Sequence, residues 1–226
     1  MNRSRIWLLS GLAVLVLVAV AVVALQPKAQ HFVRYAGERI IGKVRDKLDP
    51  PQKVAAIRSR LLDPATAVVL GPPAQPDEAG SIVLFVDYNC VHCRRQFEVL
   101  RHMTEAGTVP RVFLRQLPHS RPSVALARAM LAARRQGGEA ALHRVMAGMD
   151  RQIGPDDVPA LARAAGLDAD RLRADAADPA IEALLEDDLK MAWNLRINST
   201  PTFVVGEEIK RGVQDAEKLA ALAAER

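Results

Sequence analysis

Ser81-Ile82-Val83-Leu84-Phe85-Val86-Asp87-Tyr88-Asn89-Cys90-Val91-His92-Cys93-Arg94 decides how the rest of the chain is read. Ile82 to Val86 is a short, unbroken apolar run rich in β-branched residues, the pattern of a strand covered on both faces. From Arg94 the period becomes helical, with Phe97, Leu100 and Met103 on one face. The two cysteines of the chain therefore fall where a buried strand hands over to a helix. A helix start offers unpaired N–H groups and the positive end of the helix dipole, both of which favour a thiolate. Cys90 is expected to be the exposed, acidic sulfur, and Cys93, one turn inside, the shielded one. His92 adds an imidazole beside the pair. A stable thiolate favours the dithiol, which makes the corresponding disulfide a stronger oxidant.

Other uses of two cysteines must be weighed. A structural disulfide across two intervening residues would close a tiny loop and constrain little of the unfolded chain. Half of a metal site, with Cys90, Cys93 and His92 around Cu(I) or Zn(II), remains open as a copper-binding or metal-delivery module. His31, His102, His119 and His143 show no metal-ligand spacing and read as surface or packing residues.

Outward from this centre, Ala67-Val68-Val69-Leu70 reads as a short strand before the turn-rich Gly71-Pro72-Pro73. Val112-Phe113-Leu114 is a second buried strand. Residues 122–195 are helical in pattern, punctuated by Pro122, Gly137-Gly138, Gly154-Pro155 and Asp178-Pro179. Strand character returns at Thr202-Phe203-Val204-Val205, then at Ile209-Lys210-Arg211, and a last helix starts near Asp215. The order is β–α–β, helices, then α–β–β–α. Thr200-Pro201 stands immediately before a strand. X-Pro bonds can be cis, so this dipeptide far downstream of the cysteines is a second signal.

These residues together resemble the DsbA-like branch of the thioredoxin superfamily, bacterial exported thiol:disulfide oxidoreductases, over about residues 64–226. The likeness rests on Phe85-Val86-Asp87-Tyr88-Asn89-Cys90, the helical stretch with Gly166-Leu167-Asp168, and Thr200-Pro201-Thr202-Phe203-Val204-Val205-Gly206. It implies an α/β thioredoxin fold with a helical domain inserted at about 120–195. It implies that Cys90 is the nucleophile, that Cys93 resolves, and that Thr200 and Pro201 form a cis-proline loop holding substrate backbone. No cofactor is implied. The implied partners are exported proteins with cysteines and a membrane redox partner. A disulfide isomerase or reductase is the alternative within the class. Two features depart from the family: Val91 stands where many members have Pro or Gly, and Leu84 stands where many have a buried Glu. The basic residue expected near the following strand is assigned to Arg115.

The N-terminal quarter has a different character. Residues 1–62 hold 11 Lys/Arg against 3 Asp/Glu, whereas residues 63–226 hold 20 against 23. The formal charge of +5 thus belongs to the arm, not to the globular part, and no nucleic-acid-reading motif accompanies it. Ile6 to Leu25 is an apolar run of 20 residues with Ser10 as its only polar member, preceded by Arg3 and Arg5. Such a helix would span roughly 30 Å, the hydrocarbon thickness of a bilayer. Residues 1–5 are expected in the cytoplasm and 6–25 as an uncleaved signal anchor in a bacterial inner membrane. Residues 26–63 would be a basic juxtamembrane linker. Residues 64–226 would face the periplasm. Within the linker, Ile40, Ile41, Val44 and Leu48 recur at helical spacing, as do Val54, Ile57 and Leu61, with Asp49-Pro50-Pro51 between the two sets. Two readings stay open for 31–62: amphipathic helices resting on the domain or the bilayer, and a stalk for homo-oligomers.

Overall fold

The computed structural model describes residues 52–72, 78 and 80–225. The apolar run Ile6–Leu25 and the first amphipathic pattern lie outside these residues. Among the described residues no helix is long and apolar enough to cross a membrane.

Five strands form one sheet in the order β1-β3-β2-β4-β5: β1 Val68–Leu70, β2 Ile82–Val86, β3 Val112–Gln116, β4 Thr202–Val205 and β5 Glu208–Arg211. The central pair β2 and β3 is parallel, with Leu84 opposite Leu114 and Val86 opposite Gln116; every other pairing is antiparallel. The helices are α1 Gln52–Leu61, α2 Val91–Glu105, α3 Arg121–Ala133, α4 Glu139–Ala147, α5 Val158–Ala164, α6 Ala169–Ala176, α7 Pro179–Asn194 and α8 Ala216–Ala224. Helices α3 to α7 all intervene between β3 and β4, and a β–α–β unit stands before them and a β–β–α unit after. This is the mixed α/β thioredoxin arrangement with added helices that the sequence predicts.

The apolar run of β2 serves two cores because successive strand residues point to opposite faces. Ile82, Leu84 and Val86 join Tyr88, Cys93, Phe97 and Leu100, the insertion residues Leu126, Met130 and Leu142, and Leu219 of α8. Val83 and Phe85 join Phe113, Val204, Leu61 of α1, and Met191 and Ala192 of α7. All five residues of β2 are buried, as a strand sandwiched between helical layers must be.

Local chemistry sets the helix boundaries. The Ser120 hydroxyl accepts from Ser123 N–H at 3.3 Å and Pro122 occupies the first turn of α3. Asp178 caps α7 through Ala180 N–H at 2.8 Å, again with a proline following. After α3 and a short 3-10 turn, Gly137 takes a left-handed φ of 66°, and a side chain on Gly138 would run into Leu167. The apolar period begins only at Arg94, whereas α2 begins at Val91, which puts Cys93 in its first turn. Cys90 stands at the N-cap with no side-chain cap bond, and its carbonyl accepts from Arg94 N–H at 3.1 Å.

Candidate functional site

Strand β2 ends at Val86, and a tight turn carries the chain into α2. The Asp87 side chain accepts from Asn89 N–H at 2.8 Å, and the Asp87 carbonyl accepts from Cys90 N–H at 3.0 Å. The second carboxylate oxygen takes His119 N–H at 2.9 Å, tying the turn to the loop after β3. Cys90 emerges in extended backbone as the N-cap of α2, half-buried. Cys93, one turn on, is fully buried, and both cysteines are free thiols here.

The two sulfurs differ in chemistry as well as depth. Cys90 is pulled down to about 5, chiefly because the Cys93 thiol hydrogen-bonds to it. The Thr200 side chain and the backbone N–H groups of Cys93 and His92 add to this, and partial burial opposes it. Cys93 is pushed far above the ordinary thiol range, first by its bond to Cys90 and then by burial. The expected asymmetry is present. His92 is exposed, and the bond it lends to Cys90 comes from its main-chain N–H. The helix start supplies the donors.

Thr200 and Pro201 meet the cysteines from the far side of the sequence. As a thiol, Cys90 donates to the Thr200 carbonyl at 3.4 Å across 110 positions of chain. The Thr200–Pro201 bond is cis. The Pro201 carbonyl accepts from Gly212 N–H at 2.9 Å, and two residues later Gln214 exchanges backbone bonds with the buried Gln96 side chain of α2, at 2.8 and 3.1 Å. The loop and the cysteine helix are thus clamped from behind as well as in front.

Arg115 is not part of this site. Strand parity places it with Phe113 on the other face of β3, where its guanidinium donates to Asp188 at 3.1 Å and to the Leu61 carbonyl at the end of α1. Behind Cys93 lies instead a neutral pair that sequence reasoning missed. The Tyr88 hydroxyl is 2.8 Å from His143 Nδ1, and the Phe97 ring packs edge-on against His143 at 4.7 Å. Tyr88 and His143 are 55 positions apart, in the turn after β2 and on α4, with nothing in their spacing to pair them. Among the described residues no cluster of three or more His, Cys, Asp and Glu is placed to hold a metal ion.

This geometry has relatives. A thioredoxin-like oxidoreductase from Silicibacter pomeroyi DSS-3 is 33% identical and superposes with a TM-score of 0.67, covering 73% of this chain and 94% of its own. The thiol-disulfide exchange protein alpha-DsbA2 from Wolbachia pipientis is 19% identical, with a TM-score of 0.69 over 80% of this chain and 97% of its own, and shares the fold. Among curated proteins, a Na(+)/H(+) antiporter NhaA of Herminiimonas arsenicoxydans is 30% identical over 182 residues, which is 75% of this chain. The chain spans only 29% of that antiporter's length and 24% of a second NhaA, from Salinispora tropica. The thioredoxin family profile matches residues 65–224, from the edge of β1 to the end of α8 and through both cysteines and the cis-proline, and the chain belongs to that family.

Proposed function

We propose that this protein is a thiol:disulfide oxidoreductase that oxidises cysteines of exported proteins in the periplasm, anchored in the inner membrane by Ile6–Leu25. The observation that carries the exchange chemistry is the unequal pair of sulfurs: Cys90 half-exposed and held toward thiolate, Cys93 buried one turn away and held as thiol.

In the oxidising direction, a client thiolate attacks Cys90 Sγ of the Cys90–Cys93 disulfide. The S–S bond breaks, and Cys93 leaves with the electron pair and takes up a proton. A second client thiolate then attacks the client sulfur of the mixed disulfide, and Cys90 departs as the stabilised thiolate. The client gains a disulfide and the protein holds the dithiol, so a membrane oxidant must reclaim the two electrons. The Thr200 backbone, bonded to Cys90 Sγ, lies where an extended client segment can pair with it. Export is supported by the apolar run and the basic residues before it.

The equilibrium of Cys90/Cys93 with glutathione tests this reading. A potential near those of strong disulfide oxidants is expected; a thioredoxin-like value would instead make the protein a reductase or isomerase. Alkylation of the reduced protein against pH should show a thiolate with a midpoint near pH 5. An ordinary thiol midpoint, about 8.5, would remove the basis for an oxidant.

A further inference from the structure

Asn89, immediately before the nucleophile, spends every polar atom it has. Its N–H goes to Asp87 within the turn. Its side-chain amide makes a reciprocal pair with one backbone residue of the helical insertion: Nδ2 donates to the Ile153 carbonyl at 3.0 Å, and Ile153 N–H donates to Oδ1 at 2.8 Å. Nδ2 also reaches Ser123 Oγ at 3.4 Å, and the Asn89 carbonyl accepts from the Gln152 side chain at 3.1 Å. On the other side of the cysteines, Arg94 donates to the Arg151 carbonyl at 3.0 Å. The segment Arg151–Ile153 therefore grips the Cys90 turn from before and after the two sulfurs. This segment is itself braced, because Arg151 forms a two-point ion pair with Asp157, at 2.7 and 2.8 Å.

We propose that Asn89 is a positioning residue through which the helical insertion holds Cys90 Sγ in register with its thiolate donors. The donors in question are the Cys93 thiol and two amides in the first turn of α2, which Cys90 caps, together with the Thr200 side chain from the loop before β4. A sulfur that drifts by a few tenths of an ångström loses strength with each of them, because hydrogen bonds weaken steeply with distance and angle. A side chain that only packs could seal this position, whereas the primary amide both donates to and accepts from one backbone residue, through two separate atoms. The inference rests on the exchange reaction proposed above and assigns the insertion an active part in it.

The test uses the full-length reduced protein, its Asn89→Ala and Gln152→Ala variants, iodoacetamide as the thiol probe, and thermal melts in parallel. Asn89→Ala should move the alkylation midpoint of Cys90 up by about one pH unit, making the reaction about tenfold slower on the acidic limb. It should also shift the glutathione equilibrium toward the disulfide by about the same factor, since a less stable thiolate favours the dithiol less. Gln152→Ala, which removes one exposed contact, should move both in the same direction by less. A lowered melting temperature with an unmoved midpoint would mean that Asn89 only stabilises the fold, and would overturn the proposal. Should Asn89→Ala not fold, an unmoved midpoint in Gln152→Ala overturns it alone. Failure of the parent protein to exchange with glutathione would sink the functional reading instead, while the alkylation midpoints would still decide the role of Asn89.

Discussion

The two faces of the central sheet each bury a polar pair, and the pairs are of opposite kinds. Behind the cysteines, Tyr88 and His143 are both neutral: burial raises the tyrosine and lowers the histidine to about 4. Under the other face, Arg115 and Asp188 form an ion pair with exposures of 0% and 1%. Parity along β3 separates them. Leu114 and Gln116 share the cysteine side, and Phe113 and Arg115 share the α1–α7 side. The guanidinium has a mechanical task there: it donates to the Leu61 carbonyl at the C-terminus of α1, where a cation is favoured, and bridges to α7 through Asp188. A full positive charge behind Cys93 would favour its thiolate and erase the difference between the sulfurs. The fold keeps the buried guanidinium of Arg115 on the far face and leaves a neutral, aromatic backing on the near one.

The largest expected effect breaks the near face. Cys90→Ser should abolish exchange with protein disulfides and trap few clients, while Cys93→Ser should accumulate mixed disulfides, visible as reducible high-mass bands. Equal trapping by the two variants would reverse the assignment of nucleophile.

The far face should answer in stability and not in thiol chemistry. Arg115→Met leaves Asp188 buried without its cation, and breaking such a pair costs about 3–5 kcal/mol. Urea unfolding measures this, and the alkylation midpoint of Cys90 should stay near 5. The cost should also grow with pH. Burial already pushes Asp188 up to about 7, against the pull of Arg115 and of Gln116 N–H at 2.7 Å. Without Arg115 it rises further, so near pH 5 both proteins bury a neutral acid, whereas near pH 8 the parent can ionise Asp188 beside its cation and the variant must hold a proton that its unfolded chain gives up. A pH-independent loss would mean that Asp188 is neutralised in some other way.

What the sequence shows and hides follows the same division. The strand-to-helix switch at Cys90 and the Thr200-Pro201 dipeptide are local patterns, and they are legible because each carries its own chemistry. The unbroken apolar run Ile82–Val86 announces burial on both faces but not which helix covers which. The polar pairs are silent. Arg115 finds Asp188 across 73 positions, Gln96 finds Gln214 across 118, and Asn89 finds Ile153 across 64. Nothing in the period or spacing of one sequence encodes such pairings. Place in the chain alone points to Arg115 as the basic residue near the cysteines. The side of the strand on which it falls gave it another partner.

The smallest expected effect concerns the near-face pair. His143 is buried and neutral, its basicity lowered first by desolvation and then by the charge of Arg144. A histidine with a lowered folded pKa contributes stability that is complete above its unfolded value, about 6.5, and that is lost as the pH falls through the folded value near 4. The gap sets an upper bound of about 3 kcal/mol for this loss. Asp188 acts with the opposite sign, since its raised folded value makes stability fall as the pH rises from about 4 toward 7. The two faces therefore oppose one another in the same window, and the parent protein should show a shallow pH dependence there. His143→Asn removes one side of the balance while keeping an amide that can meet the Tyr88 hydroxyl. Relative to the parent, this variant should gain stability as the pH is lowered from 7 to 4, read as the difference in urea midpoint at each pH. A constant difference across that range would show that His143 does not titrate with unfolding, and the near face would then owe its neutrality to something other than this buried imidazole.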